Sequence, residues 1–245
     1  MTVYQHIVSA AQAGKKQFAV LIDPDKSDTA ETEKTARLGT EAGADFFFVG
    51  GSLLTQDCLE KCILTIKKNS DLPVVIFPGS TLQITPAADA ILFLSLISGR
   101  NPEMLIGHHV VAAPMLKAAG IEVISTGYML IDSGRPTTAS YMSSTTPIPH
   151  DKDDIALCTA LAGEMLGMKM IFMDGGSGAK YPVSESMIRH VKQNLSIPLI
   201  IGGGIATPEK ASANCRAGAD IIVVGNSIEK DKGLIAEISS AVCSA

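Results

Sequence analysis

Eight short apolar runs, separated for the most part by stretches with helical spacing, constrain this chain more than any other feature of it. They lie at residues 18–22, 45–49, 74–77, 91–94, 122–125, 170–173, 199–201 and 221–224. Several are apolar at every position, as parallel strands covered on both faces are. Helical patterns fill most of the intervals, at residues 29–42, 103–119, 153–166, 184–194, 208–217 and 228–242. Ser184 and Thr207 stand as capping hydroxyls, the second followed by Pro208 at a first helical position. Gly43, Gly120, Gly167 and Gly218 stand where helices must end before the next strand. Strand and helix alternating to the end of 245 residues predict an α/β chain built as one (β/α)8 TIM barrel, a single domain over residues 1–245.

Two connections depart from an even barrel. Residues 78–89, after the third run, are too short and too interrupted by Pro78 and Pro86 for a regular third helix. Residues 132–152, after the fifth run, are long, polar and rich in Gly, Ser, Thr and Pro. They fall on the rim where βα-loops build active sites, and read equally as a mobile connector. An internal echo is also visible. Ala42-Gly43-Ala44-Asp45 leads through a strand to Val49-Gly50-Gly51-Ser52, and Ala217-Gly218-Ala219-Asp220 leads likewise to Val224-Gly225-Asn226-Ser227. Both strands run into small-residue turns where a ligand can approach the backbone.

The net charge of −5 argues against a nucleic-acid partner, which calls for a basic patch. It leaves room for a small anion, because backbone N–H groups and a metal ion bind phosphate without net positive charge. The first residues lack the apolar core and cleavage site of a signal peptide. The apolar runs fall well short of the roughly 20 residues of a membrane span. Five scattered cysteines fit reduced thiols and a cytoplasmic location. Cys58 and Cys62, one helical turn apart, read as packing rather than metal ligands.

The chemistry concentrates at the strand ends. The sixth run ends in Asp174-Gly175-Gly176-Ser177-Gly178-Ala179, the seventh in Gly202-Gly203-Gly204-Ile205, and the eighth in Gly225-Asn226-Ser227. Glycines without Cβ let a dianion approach several N–H donors, and barrels often place a phosphate after their last two strands. Asp23, in Leu21-Ile22-Asp23-Pro24, ends the first strand on the ligand face and is a candidate Mg2+ ligand. Asp25 and Lys26 read as solvated loop charges. Asp174 is placed to take a proton from a hydroxyl held by the phosphate site. His108 and His109 read as helix surface or interface, and His6, His150 and His190 have no evident partner.

Together these motifs resemble the geranylgeranylglyceryl phosphate synthase family, prenyltransferases that include bacterial heptaprenylglyceryl phosphate synthases. The resemblance runs over nearly the whole chain. It is carried by Leu21-Ile22-Asp23-Pro24-Asp25-Lys26, Val49-Gly50-Gly51-Ser52, Ser98-Gly99-Arg100-Asn101-Pro102, Pro147-Ile148-Pro149, Gly175-Gly176-Ser177-Gly178-Ala179, Gly202-Gly203-Gly204-Ile205 and Val224-Gly225-Asn226. The Ser-Gly-Arg-Asn-Pro segment and the Gly-Ser-Gly-Ala turn are similar to the larger, archaeal-type branch. The resemblance implies a modified TIM barrel lacking its third helix. It implies that sn-glycerol 1-phosphate is joined to a polyprenyl diphosphate as an ether, with release of diphosphate and use of Mg2+. By resemblance, Asp23 and Ser52 hold the metal. Phe172, Met173, Asp174, Gly175, Gly176, Ser177 and Gly178, with Gly203, Gly204, Gly225 and Asn226, hold glycerol phosphate, and the assembly is a homo-oligomer, dimer or hexamer. The chain departs from the family's usual Tyr-Leu-Glu at Phe172-Met173-Asp174, losing one hydroxyl and one methylene. Leu94, Leu96, Ile97 and Tyr128 are groove candidates for the prenyl tail. Two other classes stay open on the residues alone: a phosphate-binding barrel isomerase or synthase acting on a small phosphorylated metabolite, and a non-catalytic ligand-binding or assembly barrel.

Overall fold

Side chains alternate along a strand, and here the alternation sorts them into two cores. On β1 (Gln17–Ile22), Phe18, Val20 and Ile22 join an outer cluster of 42 buried residues, while Ala19 turns inward to a cluster of 14. The outer cluster is the larger because strands and surrounding helices share it. Both strand faces therefore need apolar residues, and the sequence shows no alternation. The computed structural model describes residues 1–245. β1, β2 (Phe46–Val49), β3 (Val74–Ile76), β4 (Ala90–Leu96), β5 (Glu122–Leu130), β6 (Met170–Asp174), β7 (Leu199–Gly202) and β8 (Ile221–Val224) are parallel, pair in sequence order, and close into a barrel through β1 and β8.

All eight expected strands form. β4 and β5 run longer than their apolar cores, pairing from Ala90↔Glu122 to Leu96↔Tyr128. Ser95, Ser125 and Gly127 interrupt the apolar pattern there but not the ladder. The helices are α1 (Val3–Gln12), α2 (Thr29–Glu41), α3 (Leu59–Asn69), α4 (His108–Ala119), α5 (Thr138–Ser143), α6 (Asp153–Met165), α7 (Glu185–Lys192), α8 (Pro208–Ala217), α9 (Asn226–Lys230) and α10 (Leu234–Cys243). Ser184 and Thr207 cap α7 and α8 as expected. No helix joins β3 to β4, so the barrel lacks its third crossover helix.

The structure corrects the sequence reading elsewhere. α1 and α5 have no counterpart among the helical patterns of the sequence, and α3 has only the helical spacing of Cys58 and Cys62. The helix expected over residues 228–242 breaks into α9 and α10 where the Asp231 side chain accepts the Gly233 N–H at 2.9 Å. The helix expected from residue 103 begins with a π-helical turn, Glu103–Gly107, before α4. The long stretch at 132–152 is tied down rather than loose. It carries α5, and Ile148 exchanges hydrogen bonds with Leu130 and Asp132 at 2.9 and 2.8 Å. No helix is long and apolar enough to cross a membrane.

α1 closes the N-terminal floor of the barrel. Val3 and Ile7 belong to the inner cluster, and the Glu122 carboxylate accepts the Val3 N–H at 2.7 Å. The opposite end stays open, with a cavity of about 660 Å³.

Candidate active site

The ends of β6 and β7 meet so closely that only glycine fits between them. A Cβ on Gly203 would lie 2.5 Å from Asp174 Oδ1, 2.6 Å from the Gly175 nitrogen and 2.7 Å from the Gly176 nitrogen. Gly203 and Gly204 both hold positive φ, 78° and 72°, which leaves the turn bare of side chains. Across from it, at the start of α9, the Asn226 amide donates to Ser177 Oγ at 3.0 Å. Gly176, Ser177, Gly178, Gly203, Gly204, Gly225 and Asn226 line one side of the cavity, a wall made mostly of bare backbone. Lys26, Arg135, Lys180 and Lys230 also line the cavity, as do Asp23 and Glu229, the ion-pair partners of Lys26. Arg135 donates to the Gly178 carbonyl and so ties the β5–α6 stretch to the β6 turn.

Asp174 stands beside this wall, 7 % exposed. Its Oδ1 accepts the Gly176 N–H at 2.7 Å and its Oδ2 accepts the Tyr128 hydroxyl at 2.7 Å. Burial raises its pKa above the usual carboxylate range, against the pull of those two hydrogen bonds. Tyr128 is raised as well, first by burial and then by the neighbouring carboxylate. Phe172 packs edge-on to Tyr128 and stacks on Phe77 at 5.1 Å. Raised above its ordinary value, the carboxylate is a stronger base than a solvated one, the direction that a proton acceptor needs.

On the other side of the mouth, Asp23 and Ser52 line the cavity on the ends of β1 and β2. Gly51 leaves the space beside Asp23 open, since a Cβ there would come within 3.2 Å of its Oδ1. No group of three His, Cys, Asp or Glu side chains gathers anywhere in the chain. One carboxylate with one hydroxyl suits Mg2+, which commonly takes one or two protein carboxylates and fills its octahedron with substrate phosphates and water. Lys26 pairs with Asp23 at 2.8 Å and reaches Glu229 at 3.8 Å, and Asp25 is bonded to the β2–α3 loop, so neither is the free loop charge expected.

The cavity does not end at the bare-backbone wall. It also reaches apolar residues between β4 and α4, where Phe93, Met104, His109, Ala112 and Leu116 form an apolar arm. His108 and His109 both line it, so of the two positions their pattern allowed, helix surface or interface, they take the interface between α4 and β4. His109 is buried, its Nε2 3.1 Å from Ser95 Oγ and its ring edge-on to Phe93 at 4.5 Å, and burial holds it below the usual imidazole range.

A model of the PcrB family matches residues 11–242. The chain belongs to the PcrB family. The geranylgeranylglyceryl phosphate synthase of Chitinophaga pinensis is 58 % identical over 240 residues, 98 % of this chain and 95 % of that protein. That of Spirosoma linguale is 51 % identical over 230 residues, 94 % and 92 % of the two chains. The crystal structure of (S)-3-O-geranylgeranylglyceryl phosphate synthase from Thermoplasma acidophilum, in complex with its substrate sn-glycerol-1-phosphate, superposes with a TM-score of 0.95. It is 38 % identical, and each chain is covered completely.

Within this PcrB-family chain, most of the expected site residues converge on one cavity, but two stand off it. Met173 points outward into the helix-facing core, because side chains on β6 alternate and Phe172 and Asp174 take the inward positions. Gly175 gives its N–H to the Gly202 carbonyl at 3.1 Å and serves the β6–β7 seam. Ile97 likewise leaves the groove and fills the space left by Gly127 and Gly163, whereas Leu94, Leu96 and Tyr128 line the cavity. Tyr128 is the chemical residue that sequence reasoning undervalued. Opposite Phe172 in the β5–β6 register, it places a hydroxyl on the acid of a chain that lacks one at position 172.

Proposed function

We propose that this protein is a prenyltransferase that joins sn-glycerol 1-phosphate to a polyprenyl diphosphate of the geranylgeranyl class, forming an ether and releasing diphosphate. One observation carries the reading: a single cavity has a bare-backbone wall beside Asp174 and an apolar arm between β4 and α4. A compact phosphorylated metabolite would leave that arm unused. The relatives' names and the glycerol phosphate in the Thermoplasma acidophilum complex support the same reading.

The glycerol phosphate dianion sits on the turns at Gly176–Gly178, Gly203–Gly204 and Gly225–Asn226, so that its free primary hydroxyl lies within reach of Asp174. The hydroxyl oxygen forms a bond to the first carbon of the prenyl chain while the bond from that carbon to the diphosphate breaks. The hydroxyl proton goes to the Asp174 carboxylate and the electron pair of the broken bond leaves with diphosphate. Holding both partners in one cavity removes most of the entropic cost of their encounter. Asp23 and Ser52 would hold Mg2+, which when bound neutralises the charge of the departing diphosphate. Lys230 adds positive charge at the same mouth. Phe77, Phe172 and the apolar arm keep water from the activated carbon.

Purified protein incubated with Mg2+, sn-glycerol 1-phosphate and labelled geranylgeranyl diphosphate should yield an ether-linked prenylglyceryl phosphate. Absence of product with every prenyl length tried, or equal use of sn-glycerol 3-phosphate, would overturn the reading.

A further inference from the structure

Residues 77–85 stand in place of a crossover helix, and they pack on the backbone of residues 50–52 with almost no clearance. A Cβ on Gly50 would lie 2.0 Å from the Phe77 carbonyl oxygen. One on Gly79 would lie 2.2 Å from the Gly51 carbonyl oxygen and 2.7 Å from the Ser52 Cα. Gln83, 2 % exposed, commits both ends of its amide to Gly51. Its Nε2 donates to the Gly51 carbonyl at 2.9 Å, and the Gly51 N–H donates to its Oε1 at 3.4 Å. Thr85 anchors the same segment to α3 by donating to Glu60 at 2.7 Å.

From the other side, Asp25 gathers the far end of this loop. Its carboxylate accepts the Thr55 N–H at 2.5 Å, the Thr55 hydroxyl at 2.8 Å, the Gln56 N–H at 3.4 Å and the Cys58 thiol at 3.3 Å. Gly51 and Ser52 thus sit between two anchors, in a stretch that has no helix or strand of its own. Neither anchor hydrogen-bonds to Gly203, Gly204 or Asn226 at the opposite side of the mouth.

We propose that Gln83 and Asp25 are positioning residues that together hold Gly51 and Ser52 beside Asp23, fixing the metal-and-diphosphate lip of the cavity independently of its glycerol phosphate end. This rests on the prenyltransferase reading of the site. The segment that replaces the third crossover helix is the one that carries Gln83 onto the β2 turn. Without its anchors the lip samples many conformations, and ligand binding must then supply the ordering that the fold now supplies.

The test separates the two ends of the cavity. In Gln83→Ala and Asp25→Asn proteins, the KM for geranylgeranyl diphosphate and the half-saturating Mg2+ concentration should each rise about tenfold, the loss of roughly one well-placed hydrogen bond. The KM for sn-glycerol 1-phosphate should stay at the wild-type value. By calorimetry, Mg2+ with inorganic diphosphate should bind more weakly by a similar factor. Amide exchange should speed up over residues 50–58 and not over residues 202–206. A parallel rise for both substrates, or exchange and diphosphate binding equal to wild type, would overturn the proposal. Should Gln83→Ala fail to fold, Asp25→Asn, at a partly exposed position, decides the matter alone. Wild-type protein that made no ether would overturn the prenyltransferase reading, while the exchange measurement would still judge the anchors.

Discussion

At the scale of single residues, the proposed chemistry depends on one carboxylate and what surrounds it. Asp174→Asn keeps the shape of the pocket but cannot accept a proton, and kcat should fall about 10²- to 10⁴-fold, measured as initial rate of ether formation. Because burial raises the Asp174 pKa, and only the ionised form is a base, kcat/KM should decline as pH is lowered through a value above the ordinary carboxylate range. The Tyr128 hydroxyl stabilises the ionised form, so Tyr128→Phe should move that acid limb to still higher pH. A pH–rate profile with the limb unmoved or shifted downward would show that the hydroxyl does not act on the acid. Gly203→Ala forces a side chain into a left-handed backbone and against Asp174. A strain of about 1–3 kcal/mol should appear as weakened glycerol phosphate binding by calorimetry. Asp174 and Gly203 were legible in the sequence because each is marked locally, an acid at a strand end and a glycine within a run of three. Tyr128 was not, because its partner lies 46 residues away on the neighbouring strand.

At the scale of elements, α4 decides what the apolar arm accepts. Phe93 and Leu116 border both the main cavity of about 660 Å³ and a neighbouring one of about 320 Å³, which reaches out to Val123. Leu116→Ala should join the two spaces and shift kcat/KM toward longer prenyl diphosphates, read from a competition between chain lengths. The same truncation of a residue 3 % exposed should cost about 2–5 kcal/mol of stability in urea. The spacing of α4 gave its helical character, but a residue on its inner face looks the same in sequence whether it meets core or cavity. His109 and Ala112 therefore carried no signal of the arm. The third connection was legible for the opposite reason: twelve residues with two prolines cannot hold a crossover helix, whatever surrounds them. What Gln83 does inside that connection came only from the packing.

At the scale of the whole molecule, the two ends of the barrel divide stability from function. Ile7 is 1 % exposed on the floor, far from the open mouth. Ile7→Ala should therefore lower the unfolding free energy by about 2–5 kcal/mol in a urea titration while leaving both KM values near wild type. The amino-acid sequence by itself determined the architecture, since strand length, burial on both faces and helix punctuation are set within a few residues of chain. It also marked the bare-backbone turns after β6 and β7, the proposed anion pocket, because such turns are written as glycine. The pairing of strands decided which distant groups meet: Tyr128 reaches Asp174 across β5 and β6, and the loops that paired strands carry bring Arg135 to the Gly178 carbonyl and Gln83 to the Gly51 backbone. Those meetings follow from strand register and stagger, which are properties of pairs of strands and are encoded in neither strand alone.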